Sequence, residues 1–102
     1  MPSFTLPDHV AIDAETLQAI AMRHNLDGTT IERLPETGII NAIYRVGQDA
    51  ILRVPRNHPD FVAHSFREAA VVPAARAAGV RTPALLAFDD SLELVPVPYT
   101  LY

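Results

Sequence analysis

The stretch NAIYRVGQDAILRVP, from Asn41 to Pro55, decides the fold that this sequence predicts. Two runs rich in branched and aromatic residues, 41–46 and 50–55, flank the turn residues at 47–49. Branched and aromatic residues favour strands, and a short glycine-containing loop between two such runs favours a hairpin. The stretch therefore predicts two antiparallel strands joined by a tight turn.

The register of this hairpin separates its side chains into two sets. If Val46 lies opposite Ala50, then Ile43 lies opposite Arg53. Successive side chains of a strand point to opposite faces, so each face receives every second residue. One face carries Tyr44, Val46, Leu52 and Val54. The other carries Ile43, Arg45, Ile51 and Arg53.

Upstream of the hairpin, the pattern predicts a helix followed by a strand. Asp13 is a good N-cap, and apolar positions recur at helical spacing from Ala14 to about Leu26. The turn residues at 27–28 end this helix. The segment from Thr29 to Leu34 then reads as a strand.

Downstream, the sequence predicts one long helix and two further strands. Asn57 is a candidate N-cap, and Gly79 is a natural terminator of the helix. Pro73 lies inside this span and predicts a kink or a break. Strands are expected at 84–88 and 92–102, the second at a sheet edge because it contains two prolines. The prediction is an α+β fold with an antiparallel sheet of about five strands.

Composition narrows the classes of protein that remain. The 102 residues make one domain, and 49% of them are hydrophobic. All eight basic residues are arginine, against twelve acidic residues, and the chain has no cysteine. An acidic chain without a basic run predicts no nucleic-acid partner, and no stretch has the length of a membrane span. The missing cysteines exclude disulfide scaffolds and thiolate chemistry, and we expect a cytoplasmic protein.

Arg53 and Glu68 are the residues most suited to a site. Arg53 stands in an otherwise apolar strand, so its charge needs solvent, a cleft or a carboxylate. Glu68 shares a helical stripe with Phe61, Ser65 and Val72, which is the face that we expect to pack on the sheet. Arg53 is the nearest candidate partner of Glu68. The alternative is that each side chain simply reaches water from a half-exposed surface.

Other candidate groups carry weaker signals. The turn around Gly38 can direct backbone N–H groups at an anion, although a glycine in a turn usually serves the turn alone. The four histidines have no pairing that suggests a metal site, so we expect surface or capping roles. No serine has an adjacent base. We therefore expect no catalytic residue and no metal ligand in this chain.

Taken in order, these segments resemble the N-terminal lobe of the aminoglycoside phosphotransferase family, which belongs to the protein-kinase-like small-molecule kinases. The resemblance covers about residues 28–102 and leaves 1–27 as a lead-in with a helix. It is carried by Gly38-x-x-Asn41-x-x-Tyr44-x-Val46, Ile51-Leu-Arg-Val-Pro55, Arg67-Glu-Ala-Ala70 and Ala78-Gly-Val-Arg-Thr-Pro-Ala-Leu-Leu86.

The resemblance implies a nucleotide site with named residues. Thr37, Gly38 and Asn41 would belong to the loop over the ATP phosphates. Arg53 would stand where the family usually has a lysine for the α- and β-phosphates, and Glu68 would be the carboxylate that pairs with that cation. ATP and Mg²⁺ are the cofactors implied for a complete enzyme. Its C-terminal lobe, with the catalytic aspartate, the metal-binding residues and most of the acceptor site, would be missing, so the chain alone is expected to be inactive.

A second hypothesis comes from a different class of protein. The chain would be a stand-alone α+β interaction domain that forms a homo-oligomer without catalysis. Its contacts would use the surface that a missing lobe would cover, or an unpaired last strand.

Overall fold

The computed structural model describes residues 8–35 and 41–102. Within them the chain forms two helices and five strands, in the order α1 (Ala14–Arg23), β1 (Ile31–Arg33), β2 (Asn41–Val46), β3 (Ala50–Pro55), α2 (Pro59–Ala77), β4 (Ala87–Asp89) and β5 (Tyr99–Leu101). The strands make one sheet in the order β1-β2-β3-β5-β4, and every neighbouring pair is antiparallel. The predicted α+β class, the five-stranded antiparallel sheet and the two helices are confirmed.

The hairpin of β2 and β3 has the predicted register. Val46 pairs with Ala50, and Ile43 pairs with Arg53. Gly47 opens the connecting turn with a φ of +67°, a conformation that costs glycine little and other residues more. The buried face of the hairpin is the one that carries Tyr44, Val46, Leu52 and Val54, each of which is at most 4% exposed.

The core lies between this apolar face and α1. Ile20 and Ala21 of α1 are fully buried. The core also includes apolar residues that lead into and form β5, namely Val95, Val97, Tyr99 and Leu101. Asp13 caps α1 as predicted, since its Oδ1 accepts a hydrogen bond of 2.8 Å from the backbone N–H of Thr16.

Helix α1 ends at Arg23, about three residues before the predicted end. The reason is a left-handed residue, because Asn25 has a φ of +56°. The N–H of Leu26 then bonds to the carbonyl of Ala21 at 2.8 Å, and that of Asn25 bonds to Met22 at 3.3 Å. This is the Schellman arrangement, in which a left-handed residue satisfies the last carbonyls of a helix.

Helix α2 differs from the prediction at two places. Its N-cap is His58 and not Asn57, because His58 has an extended backbone and its Nδ1 accepts from the N–H of Asp60 at 3.1 Å. Of the predicted kink or break at Pro73, a break does not occur, since α2 continues through it to Ala77. A proline removes one intrahelical hydrogen bond, and here the caps at both ends and the packing on the sheet hold the helix together. Gly79 follows with a φ of +91°, which confirms the predicted terminator.

The outer strands are shorter than predicted, and β5 occupies a different position in the sheet from the one predicted. Strand β1 covers three residues of the predicted 29–34, and β4 is shifted to 87–89. The prediction of an edge position for the last strand is wrong, because β5 lies between β3 and β4. Pro96 and Pro98 precede β5, so neither has to donate to its hydrogen-bond ladder. Neither helix of the described chain has the length and apolarity needed to cross a membrane.

Candidate functional site

Helix α2 lies against the sheet face opposite the main core. Ser65 is the most buried residue of α2, at 3% exposure, and marks the side of the helix that faces the sheet. Glu68 follows Ser65 by three residues and therefore lies on the same side. On the sheet, Arg53 and its β5 partner Thr100 occupy this face, and Thr100 is buried. The fold thus brings a strand arginine and a helix glutamate together.

The expected ion pair between these residues is present. Nη1 of Arg53 lies 2.8 Å from Oε1 of Glu68. The side chains are 35% and 16% exposed, so the pair sits at the margin of the protein interior and not on the open surface. A charge-assisted hydrogen bond of this length fixes the guanidinium plane more firmly than a neutral contact would.

Tyr102 is the third member of this cluster, which we call the Arg53 cluster (Arg53, Glu68 and Tyr102). Its ring centroid lies 4.9 Å from Cζ of Arg53, within the range of a cation–π contact. The backbone of Tyr102 exchanges two hydrogen bonds of 2.9 Å with Ile51, which fixes the ring beside the arginine. Burial and, after it, the carboxylate of Glu68 raise the pKa of Tyr102 to about 12.

Sequence reasoning missed Tyr102 as a site residue. A usable signal was present, because Thr100 and Tyr102 alternate with Leu101 and therefore share a sheet face. That signal becomes informative only when β5 is known to pair with β3 and not to lie at the edge. The structure shows this pairing through Leu52–Leu101 and Arg53–Thr100.

Two polar atoms of the Arg53 cluster have no hydrogen-bond partner in the described part of the chain. They are Nε of Arg53 and the hydroxyl oxygen of Tyr102, and both are buried. A buried polar group left without a partner costs about 1–3 kcal/mol, so such groups are uncommon and need an explanation. The cluster therefore combines an arginine held by an ion pair with two buried polar atoms that make no hydrogen bond to a described residue.

The other predicted site residues are less well placed. Asn41 is the first residue of β2, lies opposite Pro55 and is half-buried on the sheet face that carries Arg53. It is one diagonal step from Arg53, and a direct contact between the two is not seen. Thr37 and Gly38 lie outside the described residues.

A second polar cluster joins α1 to the β4–β5 side of the sheet. Oδ2 of Asp89 accepts from Nη1 of Arg23 and from the hydroxyl of Tyr99, both at 3.1 Å. Nε2 of His24 lies 2.8 Å from the Tyr99 hydroxyl. Because the single Tyr99 proton goes to Asp89, we infer that Nε2 of His24 carries a proton and donates to Tyr99. Oδ1 of Asp89 accepts from both the backbone N–H and the hydroxyl of Ser91.

These contacts control the ionisation of Asp89. Burial on its own raises the pKa of Asp89, but the hydrogen bonds from Ser91, Arg23 and Tyr99 outweigh it and hold that pKa at about 2. Burial and the neighbouring Asp89 raise the pKa of Tyr99 above its ordinary range. The Asp89 carboxylate and the Tyr99 hydroxyl both have partners within the cluster, so its arrangement suits attachment of α1 to the sheet.

Two of the four histidines take the capping role that the sequence predicted. His24 is the C-cap of α1 and also contacts Tyr99, while His58 is the N-cap of α2. Sequence reasoning did not find the cluster around Asp89, because its members lie up to 75 positions apart and no local pattern links them. Across residues 8–35 and 41–102, no group of three or more metal-ligating side chains is placed to hold a metal ion.

No protein-family model, curated protein or solved structure matches the chain. A functional assignment therefore depends on the chemistry of the described residues. Among the described residues, Arg53 is held by an ion pair with Glu68, whereas Arg23 of the other cluster bonds to Asp89, Ser91 and Glu93.

Proposed function

We propose that the chain is the nucleotide-binding lobe of an ATP-dependent phosphotransferase that acts on a hydroxyl of a small molecule. The observation that supports this function is the ion pair between Arg53 on β3 and Glu68 on α2. A strand cation held by a helix carboxylate is the arrangement that protein-kinase-like enzymes use to contact the α- and β-phosphates. Here the cation is an arginine, which can hold phosphate oxygens through several N–H groups.

The surroundings of Arg53 suit the parts of a nucleotide. The Arg53 side chain is 35% exposed, so a phosphate oxygen can approach its guanidinium. Ile43 and Ile51 lie on the same sheet face, are half-buried and offer apolar surface for a base. The order of elements, a hairpin followed by a helix and two further strands, also follows the order that the resemblance implies. These features support binding of ATP, with Arg53 as the cation that would hold its phosphates and Glu68 as the carboxylate that holds Arg53.

The chain's own residues would bind and orient the nucleotide but not perform the transfer. Mg²⁺ bound with ATP would neutralise charge on the phosphates, and residues of another lobe would hold the ion and activate the acceptor hydroxyl. Within the described residues, the acidic side chains form no metal-binding group that would do so. We place the function in the cytoplasm, where ATP and Mg²⁺ are available.

Titration with Mg·ATP tests the proposed function. We expect the wild-type chain to bind, and Arg53→Ala to weaken binding by about tenfold or more, since a charge-assisted contact contributes roughly 1.5–3 kcal/mol. Arg45→Ala is the matched control, because Arg45 lies on the same face of the neighbouring strand but is half-exposed and paired with Glu32. Equal loss in both variants, or no binding by the wild type at millimolar ATP, would contradict the proposal.

Catalysis gives an independent check. We expect the purified chain to show no Mg²⁺-dependent turnover of ATP, because the base and the metal ligands would come from another lobe. Measurable turnover that disappears in Arg53→Ala would show that these 102 residues contain a complete active site and would overturn this part of the proposal.

The second candidate function is the interaction domain that forms a homo-oligomer. It is favoured by large apolar side chains that remain exposed on α2 and in the segment before β5, such as Phe66, Val71 and Leu92 at 46%, 61% and 55%. Edge pairing through β5 does not support it, since β5 has a partner on both sides. Light scattering over a range of concentrations tests it, and a monomer at all concentrations together with ATP binding would exclude it.

A further inference from the structure

An open groove beside the Arg53 cluster carries two basic side chains. It has a volume of about 270 Å³ and is lined by side chains of α2, namely His64, Arg67, Glu68, Val71 and Val72. The first four follow the spacing i, i+3, i+4 and i+7, so they share one side of the helix. Glu68 belongs both to this groove and to the ion pair with Arg53. The groove therefore adjoins the proposed nucleotide site.

The charge of the groove is positive. The Glu68 carboxylate lies 2.8 Å from Nη1 of Arg53, and this cation offsets its negative charge. Arg67 adds a permanent positive charge, and His64 has at least one ring N–H to donate. Both side chains are exposed, so a solute can reach them. In a chain with a net charge of −4, a groove of this sign suits an anion.

Arg67 has no partner on the described part of the chain. Four other arginines bond to oxygen acceptors of the chain, namely Arg23, Arg45, Arg53 and Arg76. No described residue makes a hydrogen bond, an ion pair or a ring contact with Arg67. The same is true of Arg81, which follows α2 and does not line the groove. Arg67 is therefore an accessible cation whose N–H donors are open to a ligand.

We propose that this groove takes the terminal phosphate of the nucleotide, and that Arg67 is the side chain that contacts it. The inference rests on the proposed function. Ile51 and Arg53 are neighbours on one face of β3, and Glu68 connects Arg53 to the side of α2 that lines the groove. A nucleotide with its base on Ile51 and its α- and β-phosphates at Arg53 would therefore place its last phosphate at the groove. The Arg67 guanidinium can hold two oxygens of a phosphate through parallel N–H groups.

Affinities for Mg·ATP and Mg·ADP test this assignment, because the two nucleotides differ by the terminal phosphate. Arg67→Gln should weaken binding of Mg·ATP about fivefold, the upper end for an exposed charge pair, and binding of Mg·ADP by less than about twofold. Arg67→Lys keeps a charge in the groove and should bind Mg·ATP within about twofold of wild type.

Arg81→Gln is the matched control. It removes the same charge from an exposed arginine that also has no described partner. It should change the affinity for either nucleotide by less than about twofold, because distant exposed charges are screened by salt. Both positions are exposed, so we expect each variant to keep the dispersed amide spectrum of the folded chain.

The Nε–H resonance of Arg67 gives a readout that does not depend on affinity. It is assigned in ¹H–¹⁵N spectra as the signal that is missing from Arg67→Gln. We expect this signal to shift at saturating Mg·ATP and to stay close to its free position at saturating Mg·ADP. Equal shifts with both nucleotides would contradict a contact with the terminal phosphate.

The outcomes separate this inference from the proposed function. If the wild type binds Mg·ATP and Arg67→Gln binds it equally well, or loses affinity for Mg·ATP and Mg·ADP alike, the role of Arg67 is overturned and the nucleotide site stands. Equal losses in Arg67→Gln and Arg81→Gln would also overturn it, because the effect would then come from net charge. Failure of the wild type to bind Mg·ATP would overturn both.

Discussion

The Tyr99 hydroxyl donates a hydrogen bond of 3.1 Å to Asp89, which is its partner across the β4–β5 pairing. The same carboxylate accepts a hydrogen bond from Arg23 of α1. One acidic side chain therefore connects the first helix to two strands near the end of the sequence. The apolar core alone does not orient α1 in this way, because hydrophobic contacts are not directional. The Asp89 carboxylate fixes the position of the helix on the sheet.

Asp89 should make the stability of the fold depend on acid pH. Its pKa is about 2 in the folded chain, against about 3.9 for an ordinary aspartate. A lowered pKa gives stability that is present above the unfolded value and is lost as pH falls through the folded value. We expect about 2 kcal/mol of unfolding free energy to be lost between about pH 4 and pH 2.

Urea denaturation at several pH values, with Asp89→Asn and Asp90→Asn, measures this contribution. Asp89→Asn should be less stable at pH 7 and should have a flatter pH profile than wild type. Asp90 is the exposed neighbour, so Asp90→Asn should retain the wild-type profile. Identical profiles for wild type and Asp89→Asn would contradict the assigned role.

Pro73 should be a site where substitution stabilises the protein. It lies inside α2 and is exposed, so it lacks an intrahelical hydrogen bond without burying its ring. Pro73→Ala should raise the unfolding free energy by about 1–3 kcal/mol. Pro59→Ala, at the first helical position, is the control and should change it by less than about 0.5 kcal/mol. Thermal unfolding of both variants tests the prediction, and a destabilised Pro73→Ala would contradict it.

The Tyr102 phenol should respond to the charge of Glu68. Burial and the Glu68 carboxylate both disfavour the phenolate and raise the Tyr102 pKa to about 12. Stability from this group is present below the ordinary value of about 10 and is lost as pH rises through the folded value. Glu68→Gln should lower the Tyr102 pKa while leaving it above the ordinary value, because burial remains. The ¹³Cζ shift of Tyr102, assigned with Tyr102→Phe, follows the titration, and an unchanged pKa in Glu68→Gln would refute the coupling.

Adjacent residues of β3 should differ sharply in their contribution to stability. Leu52 is fully buried in the core, and Ile51 is half-buried on the opposite face. Leu52→Ala should cost about 2–5 kcal/mol of unfolding free energy, because it removes buried methyl groups and leaves a cavity. Ile51→Ala should cost roughly 1 kcal/mol. Chemical denaturation of the two variants compares them directly, and equal costs would show that the two faces are not buried as described.

Local patterns were sufficient for the hairpin, for the start of α1 and for the end of α2. The alternation in Asn41–Pro55 predicts the register, and Asp13 and Gly79 mark helix ends through their own side-chain and backbone preferences. The interior position of β5 was not predictable in this way. Prolines near a strand argue for an edge only if they lie within the ladder, and Pro96 and Pro98 lie before it.

The residues of the candidate site also divide into those that local patterns predict and those that depend on the order of strands in the sheet. Arg53 and Glu68 were predictable as partners because each breaks the apolar pattern of its own element and the connection between the elements is short. Tyr102 depended on the order of strands in the sheet, which single-sequence patterns do not specify. The binding roles of these residues, and those of Thr37, Gly38 and Asn41, remain predictions for the titrations described above.

The interior position of β5 also determines the order in which the fold can be completed. Leu52 in β3 pairs with Leu101, so the middle of the sheet closes only after almost fifty intervening residues are available. The β2–β3 hairpin can form from local contacts, but β4 has no partner in the sheet other than β5. Contacts between distant segments slow folding, because chain entropy is lost before those contacts form. During synthesis on the ribosome, the inner edge of β3 therefore stays open until residue 101 has emerged.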